Sequence, residues 1–163
     1  MSRDPILPPG LKARARGALS NASGRYEAEQ REAFDDGWDI KEEERLLRTE
    51  IRVERPRTAI TRNTSPDVGF EQSLNPYRGC EHGCIYCFAR PSHAWLGLSP
   101  GLDFETKLVA RPGIADVLAR ELSSPRYRVR VIAIGTNTDP YQPLEREQRA
   151  MRRVVEVLSE FRH

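Results

Sequence analysis

Cys80-Glu81-His82-Gly83-Cys84-Ile85-Tyr86-Cys87 holds every cysteine of the chain in eight positions. Three thiols cannot all pair within one chain, so a disulfide framework is excluded. The i, i+4, i+7 spacing would give a buried stripe on a helix. Pro76, Gly79 and Gly83 oppose that, because Pro and Gly break regular helices and mark loops. Converging thiolates from one short loop point instead to a metal centre. Iron–sulfur clusters are built on closely spaced cysteines. Zinc is the rival: Cys80, Cys84 and Cys87 with His82 or His93 would make a Cys3His set. Structural zinc sites usually use two ligand pairs held apart by an intervening segment, a pattern these histidines do not match. Three cysteines on a cubic 4Fe–4S cluster leave one iron without a protein ligand, and an open coordination position is what a catalytic centre requires.

Working outward, Ser73-Leu74-Asn75-Pro76-Tyr77-Arg78-Gly79 leads into the cysteines and Phe88-Ala89-Arg90 follows them. The glycines at 79 and 83 remove side-chain bulk and would let backbone N–H groups approach an inorganic core. The C-x3-C-x2-C spacing, with Tyr86 before the third cysteine, resembles the signature of radical S-adenosylmethionine enzymes. The wider string is similar to the branch related to spore photoproduct lyase, as are Leu96-Gly97-Leu98-Ser99-Pro100-Gly101-Leu102-Asp103-Phe104-Glu105-Thr106 and the stretch from Gly135 to Glu145. The resemblance covers about residues 45–163.

The resemblance implies that Cys80, Cys84 and Cys87 ligate a 4Fe–4S cluster whose open iron chelates S-adenosylmethionine. Reductive cleavage would give a 5′-deoxyadenosyl radical that abstracts hydrogen from a substrate, the cofactor carrying the hard chemistry. Tyr86 would lie against the adenine; its plain alternative is a core aromatic. An electron donor such as flavodoxin or ferredoxin is the implied partner. Relation to a DNA repair lyase raises a nucleic-acid substrate. The chain has no fourth cysteine to return a hydrogen atom as that lyase type does, which counts against thymine-lesion repair.

The implied fold is α/β, the N-terminal part of a partial (β/α) barrel. Only 76 residues follow Cys87 in the 163-residue chain, so the reading expects a truncated barrel. Composition suits one domain with a moderate core, at 38% hydrophobic and 31% charged. Residues 1–40, rich in Arg, Pro, Gly, Ser and Glu, read as a disordered leader, and residues 41–69 as an extension with a short charged helix (41–47) and a half-buried strand (49–53). From 70 to 163 the barrel portion is expected. Strands fall over 70–74, 104–110 and 129–134, a helix carries Ile114, Val117, Leu118 and Leu122, and a terminal helix presents Val154, Val155, Leu158 and Phe161.

No apolar run approaches a membrane span, and the first residues lack the apolar stretch of a secretory signal. A cytoplasmic location is expected, where thiols stay reduced. The net charge of +2 does not announce a nucleic-acid partner. Arg78, Arg90 and His93 interleave with Tyr77, Phe88 and Trp95, a mixture that could serve nucleic-acid stacking or could be structural.

The second candidate site is the loop after the strand ending at Ile134. Thr136, Asn137 and Asp139 match, by position, the segment that holds the methionyl end of the cofactor in the resembled family. The alternative is a turn whose side chains bond local backbone. Pro143 suits the first position of a helix, with Glu145 in its first turn. The competing function is a non-catalytic zinc- or nucleic-acid-binding module.

Overall fold

The computed structural model describes residues 17, 18, 20–27 and 48–163. Most of the expected leader and the charged helix over 41–47 lie outside these residues. In chain order the elements are β1 (Glu50–Val53), β2 (Ile60–Arg62), β3 (Gln72–Leu74), β4 (Tyr77–Arg78), a 3-10 helix (Arg90–Leu96), α1 (Leu102–Thr106), β5 (Lys107–Ala110), α2 (Ile114–Leu122), β6 (Ile132–Ile134), α3 (Glu145–Gln148) and α4 (Ala150–Glu160). They form mixed α/β structure with two three-stranded sheets, ordered β1-β5-β4 and β2-β3-β6. Neither sheet closes into a barrel among the described residues.

The chain divides into two compact units. One takes the described residues up to Glu50 together with Gly79–Leu108; the other takes Ile51–Arg78 and Val109–His163.

The second unit contains the larger core. Pro112 and Gly113 lead into α2, whose Ile114, Val117, Leu118 and Leu122 recur at helical spacing and are all buried. They pack with Ala59, Leu74, Met151 and Val154. Burying each such aliphatic side chain is worth about 1.5–3 kcal/mol. β3 pairs antiparallel with β2 and parallel with β6, with Gln72 opposite Ile132 and Leu74 opposite Ile134. A parallel pair requires a crossover connection, which the long chain path from 75 to 131 supplies.

Four local expectations are corrected. The strand foreseen over 104–110 begins only at Lys107, because residues 102–106 make one helical turn in which Thr106 Oγ1 donates to the Leu102 carbonyl at 2.8 Å. Asp103 and Glu105 in its first turn suit the positive end of the helix dipole. The strand foreseen over 129–134 is confined to 132–134; the three-residue β3 offers Val129 and Val131 no partner in its register, and both are exposed. β1 forms where expected but lies at a sheet edge with Ile51 and Val53 exposed rather than half-buried. On α4 the buried face is Ala150, Met151 and Val154, while Val155 and Phe161 face outward.

The first unit has a small core of Cys80, Ala89 and Phe104, with Cys87 packed against it. The described residues among 17–27 contact the rest of their unit. Gly17 and Ala18 donate their amides to Glu105, Asn21 exchanges hydrogen bonds with Asp103, and Tyr26 stacks on Trp95 at 4.6 Å between centroids.

Candidate metal centre and polar loop

β4 ends at Arg78 and the chain turns at once into the cysteine loop. Gly79 has φ +77°, and a Cβ there would stand 2.8 Å from the Phe104 carbonyl and from Leu108 Cδ2. Gly83 has φ +65°, and a Cβ would stand 2.8 Å from Glu105 Oε2. Both positions therefore need glycine for backbone conformation and for packing against protein, a different reason from approach to an inorganic core.

All three cysteines are thiols rather than disulfides. Cys80 is buried, its amide donating to the Phe104 carbonyl at 2.9 Å; Cys84 and Cys87 are partly exposed and bridged by a turn, Cys87 N to Cys84 O, at 3.2 Å. Around them Ile85, Tyr86 and Phe88 are 71%, 86% and 80% exposed. Tyr86 is thus no core aromatic; it stands in solvent between two candidate ligands.

Arg90 underlies this loop. Its Nε donates to the Cys84 carbonyl at 2.9 Å, and Nη2 to the Gly83 carbonyl at 3.1 Å. Nη1 donates to the carbonyls of Pro100 and Gly101, each at 3.1 Å, and Nη2 meets Glu105 Oε1 at 2.5 Å. All five guanidinium N–H groups are used. Glu105 is fully buried and also accepts the amides of Gly17 and Ala18 at 3.0 and 2.9 Å. The guanidinium lies 5.3 Å from the Phe104 ring centroid, within cation–π range.

His93 is completely buried. Nε2 bonds the Lys107 carbonyl at 2.9 Å, the ring meets Phe104 edge-on at 5.4 Å, and Nδ1 has no partner among the described residues. Burial holds its pKa below the ordinary 6.5, so the imidazole is neutral. His82 is exposed. Among the described residues, no three His, Cys, Asp or Glu side chains are grouped as metal ligands. The donor set nonetheless suits a thiophilic metal: three thiols on one loop, two of them accessible. Metal sites commonly assemble only as the metal binds.

Of the basic–aromatic mixture, Tyr77, Arg90 and His93 are buried and Arg78 stands 4.0 Å from Glu54. Phe88 and Trp95 of the same mixture are exposed, and Trp95 packs against Tyr26.

The polar loop belongs to the other unit, at the carboxyl ends of the parallel strands β3 and β6. Gly135 continues the pairing, its amide donating to the Leu74 carbonyl at 3.2 Å. Asn75, buried directly after β3, donates through Nδ2 to Thr136 Oγ1 at 2.9 Å and accepts the Asn137 amide at 2.8 Å. Arg111 Nη1 donates to the Asn75 carbonyl at 3.3 Å. Asp139 accepts the Tyr141 amide at 2.8 Å, and buried Gln142 donates to Thr138 Oγ1 at 3.0 Å. The turn-forming alternative thus describes Asp139, while Thr136 and Asn137 are held by Asn75. Sequence reading missed Asn75; its position next to a strand end and a proline was the available signal. Open α/β sheets bind ligands outside the carboxyl ends of parallel strands, where this loop sits.

Glu145 has a structural role. Its carboxylate accepts the Tyr77 hydroxyl and the amides of Met151 and Arg152 at 3.0 and 2.9 Å, capping α4 from the short helix before it. Pro143 lies outside α3, whose N-cap is Leu144.

Over 90 residues the chain is 46% identical to uncharacterized proteins of Mycobacterium tuberculosis and Mycobacterium bovis. The match takes in 55% of this chain and 26% of each relative. No family model and no solved structure matches the chain. These relatives carry no stated activity. No helix of the described residues is long and apolar enough to cross a membrane.

Proposed function

We propose that this chain carries the cluster-binding part of a radical S-adenosylmethionine enzyme, with Cys80, Cys84 and Cys87 as ligands to a 4Fe–4S cluster. The observation that carries the reading is the cysteine loop itself. Three thiols lie on a loop whose backbone is tied down by Phe104 and Arg90, with the Cys84 and Cys87 side accessible and rimmed by Ile85, Tyr86 and Phe88.

When bound, the cluster supplies the electron that cleaves S-adenosylmethionine to a hydrogen-abstracting radical. The protein's own residues do the rest. Cys80 anchors the ligand set on a fixed backbone. Tyr86, open to solvent, offers a face for the adenine. Thr136 and Asn137, held by Asn75, and Asp139 in its local turn would present small polar groups and backbone for the methionyl end.

In this reading the parallel β3–β6 pair is the start of a partial (β/α) barrel, the electron donor is a flavodoxin or ferredoxin, and the location is cytoplasmic. The substrate class is open, nucleic acid included. Anaerobic loading with ferrous iron and sulfide tests the proposal. It expects brown protein with close to four irons and four sulfides per chain, lost when Cys84 or Cys87 becomes alanine. Tight zinc uptake that excludes iron would favour the binding-module alternative.

A further inference from the structure

Among the described residues, the Arg90 side chain joins both halves of the cysteine surroundings within its unit. On one side it holds the carbonyls of Gly83 and Cys84, inside the loop; on the other it holds those of Pro100 and Gly101 and the Glu105 carboxylate. Carbonyls pointing down onto a guanidinium fix the peptide planes around Cys84. They limit the φ and ψ values from which its thiol can be presented. A lysine could not reproduce this, because its ammonium carries three donors on one atom whereas the guanidinium fork spreads five over a plane.

We infer that Arg90 is the positioning residue of the metal loop, setting the direction of the Cys84 thiol, with Glu105 holding the guanidinium in register. This rests on the cluster reading above and deepens it. Groups that orient ligands without touching the metal are typically worth 10–100-fold in metal affinity, so Arg90→Lys should release iron to a chelator roughly 10–100-fold more readily than the unaltered protein.

The test compares the full chain with Arg90→Lys and Glu105→Gln in two assays. The first is site-resolved alkylation of the metal-free protein by iodoacetamide, read by mass spectrometry. The second is iron release to a chelator after anaerobic loading with ferrous iron and sulfide. The expected result is faster labelling of Cys84 relative to Cys80 in both variants, at unchanged far-ultraviolet circular dichroism, with quicker iron loss. Labelling ratios and iron retention equal to those of the unaltered protein would overturn the inference. So would a uniform rise at all three thiols, since a positioning role singles out Cys84. If the unaltered protein takes up no iron, the cluster reading fails while the labelling ratio still decides the role of Arg90.

Discussion

Arg90 Nη2 and Glu105 Oε1 lie 2.5 Å apart, with the Glu105 side chain fully buried and that of Arg90 nearly so. The pair is fully hydrogen-bonded, by four carbonyls on one side and two amides on the other. Removing one partner leaves the other charged, buried and uncompensated. Arg90→Ala is expected to cost about 3–5 kcal/mol, measured by urea unfolding of the metal-free protein. A loss below about 1 kcal/mol would mean that the pair is hydrated in solution, as at a surface ion pair.

Tyr77 and Glu145 make a second prediction. The buried Tyr77 hydroxyl donates to Glu145 and accepts the Ala150 amide at 3.3 Å, while Glu145 caps the first amides of α4. Burial, then the bond to Glu145, raises the phenol's pKa far above its ordinary value of 10.0, so it stays protonated at all ordinary pH. Tyr77→Phe leaves both partners short of a hydrogen bond and should cost about 1–3 kcal/mol with little change in helix content. Circular dichroism with thermal melting checks both parts.

His93 gives a pH signature. Its folded-state pKa is lowered by burial, so the unfolded chain binds a proton more readily than the folded one. Stability from this group is complete above the unfolded value near 6.5 and is lost as pH falls below it toward the folded pKa. The unfolding midpoint of the metal-free protein should drop between pH 7 and the acid side of 6.5. His93→Gln should flatten that slope, and an unchanged slope would assign it to other groups.

Asn75 tests the polar loop. Asn75→Ala frees Thr136 Oγ1 and the Asn137 amide and should cost about 1–3 kcal/mol through those lost bonds. If the loop holds the methionyl end of the cofactor, the same variant should weaken S-adenosylmethionine binding in calorimetry while cluster content stays unchanged. Equal binding would separate the loop from the cofactor.

The sequence carried some of this plainly. Ile114, Val117, Leu118 and Leu122 announced α2, because a buried helix face imposes a period that few other structures share. Pro76, Gly79 and Gly83 announced that the cysteines lie on a loop and not on a regular helix, and no helix forms between Arg78 and Arg90. Other parts were hidden for physical reasons. Phe104 and Thr106 alternate as a strand would, but a single helical turn overrides the pattern. Asn75, Arg90 and Glu145 act through partners 61, 15 and 68 residues away, and no local pattern encodes such a pairing. The exposure of Val155 and Phe161 follows from which face of α4 meets α2, again a tertiary outcome.

The central claim is that the three cysteines hold a cluster with an iron left for S-adenosylmethionine. Electron paramagnetic resonance of the anaerobically loaded, dithionite-reduced protein, recorded with and without S-adenosylmethionine, tests it most directly. The account predicts a reduced-cluster signal whose line shape changes when S-adenosylmethionine is added. A signal indifferent to S-adenosylmethionine, or bound zinc and no signal at all, would contradict it.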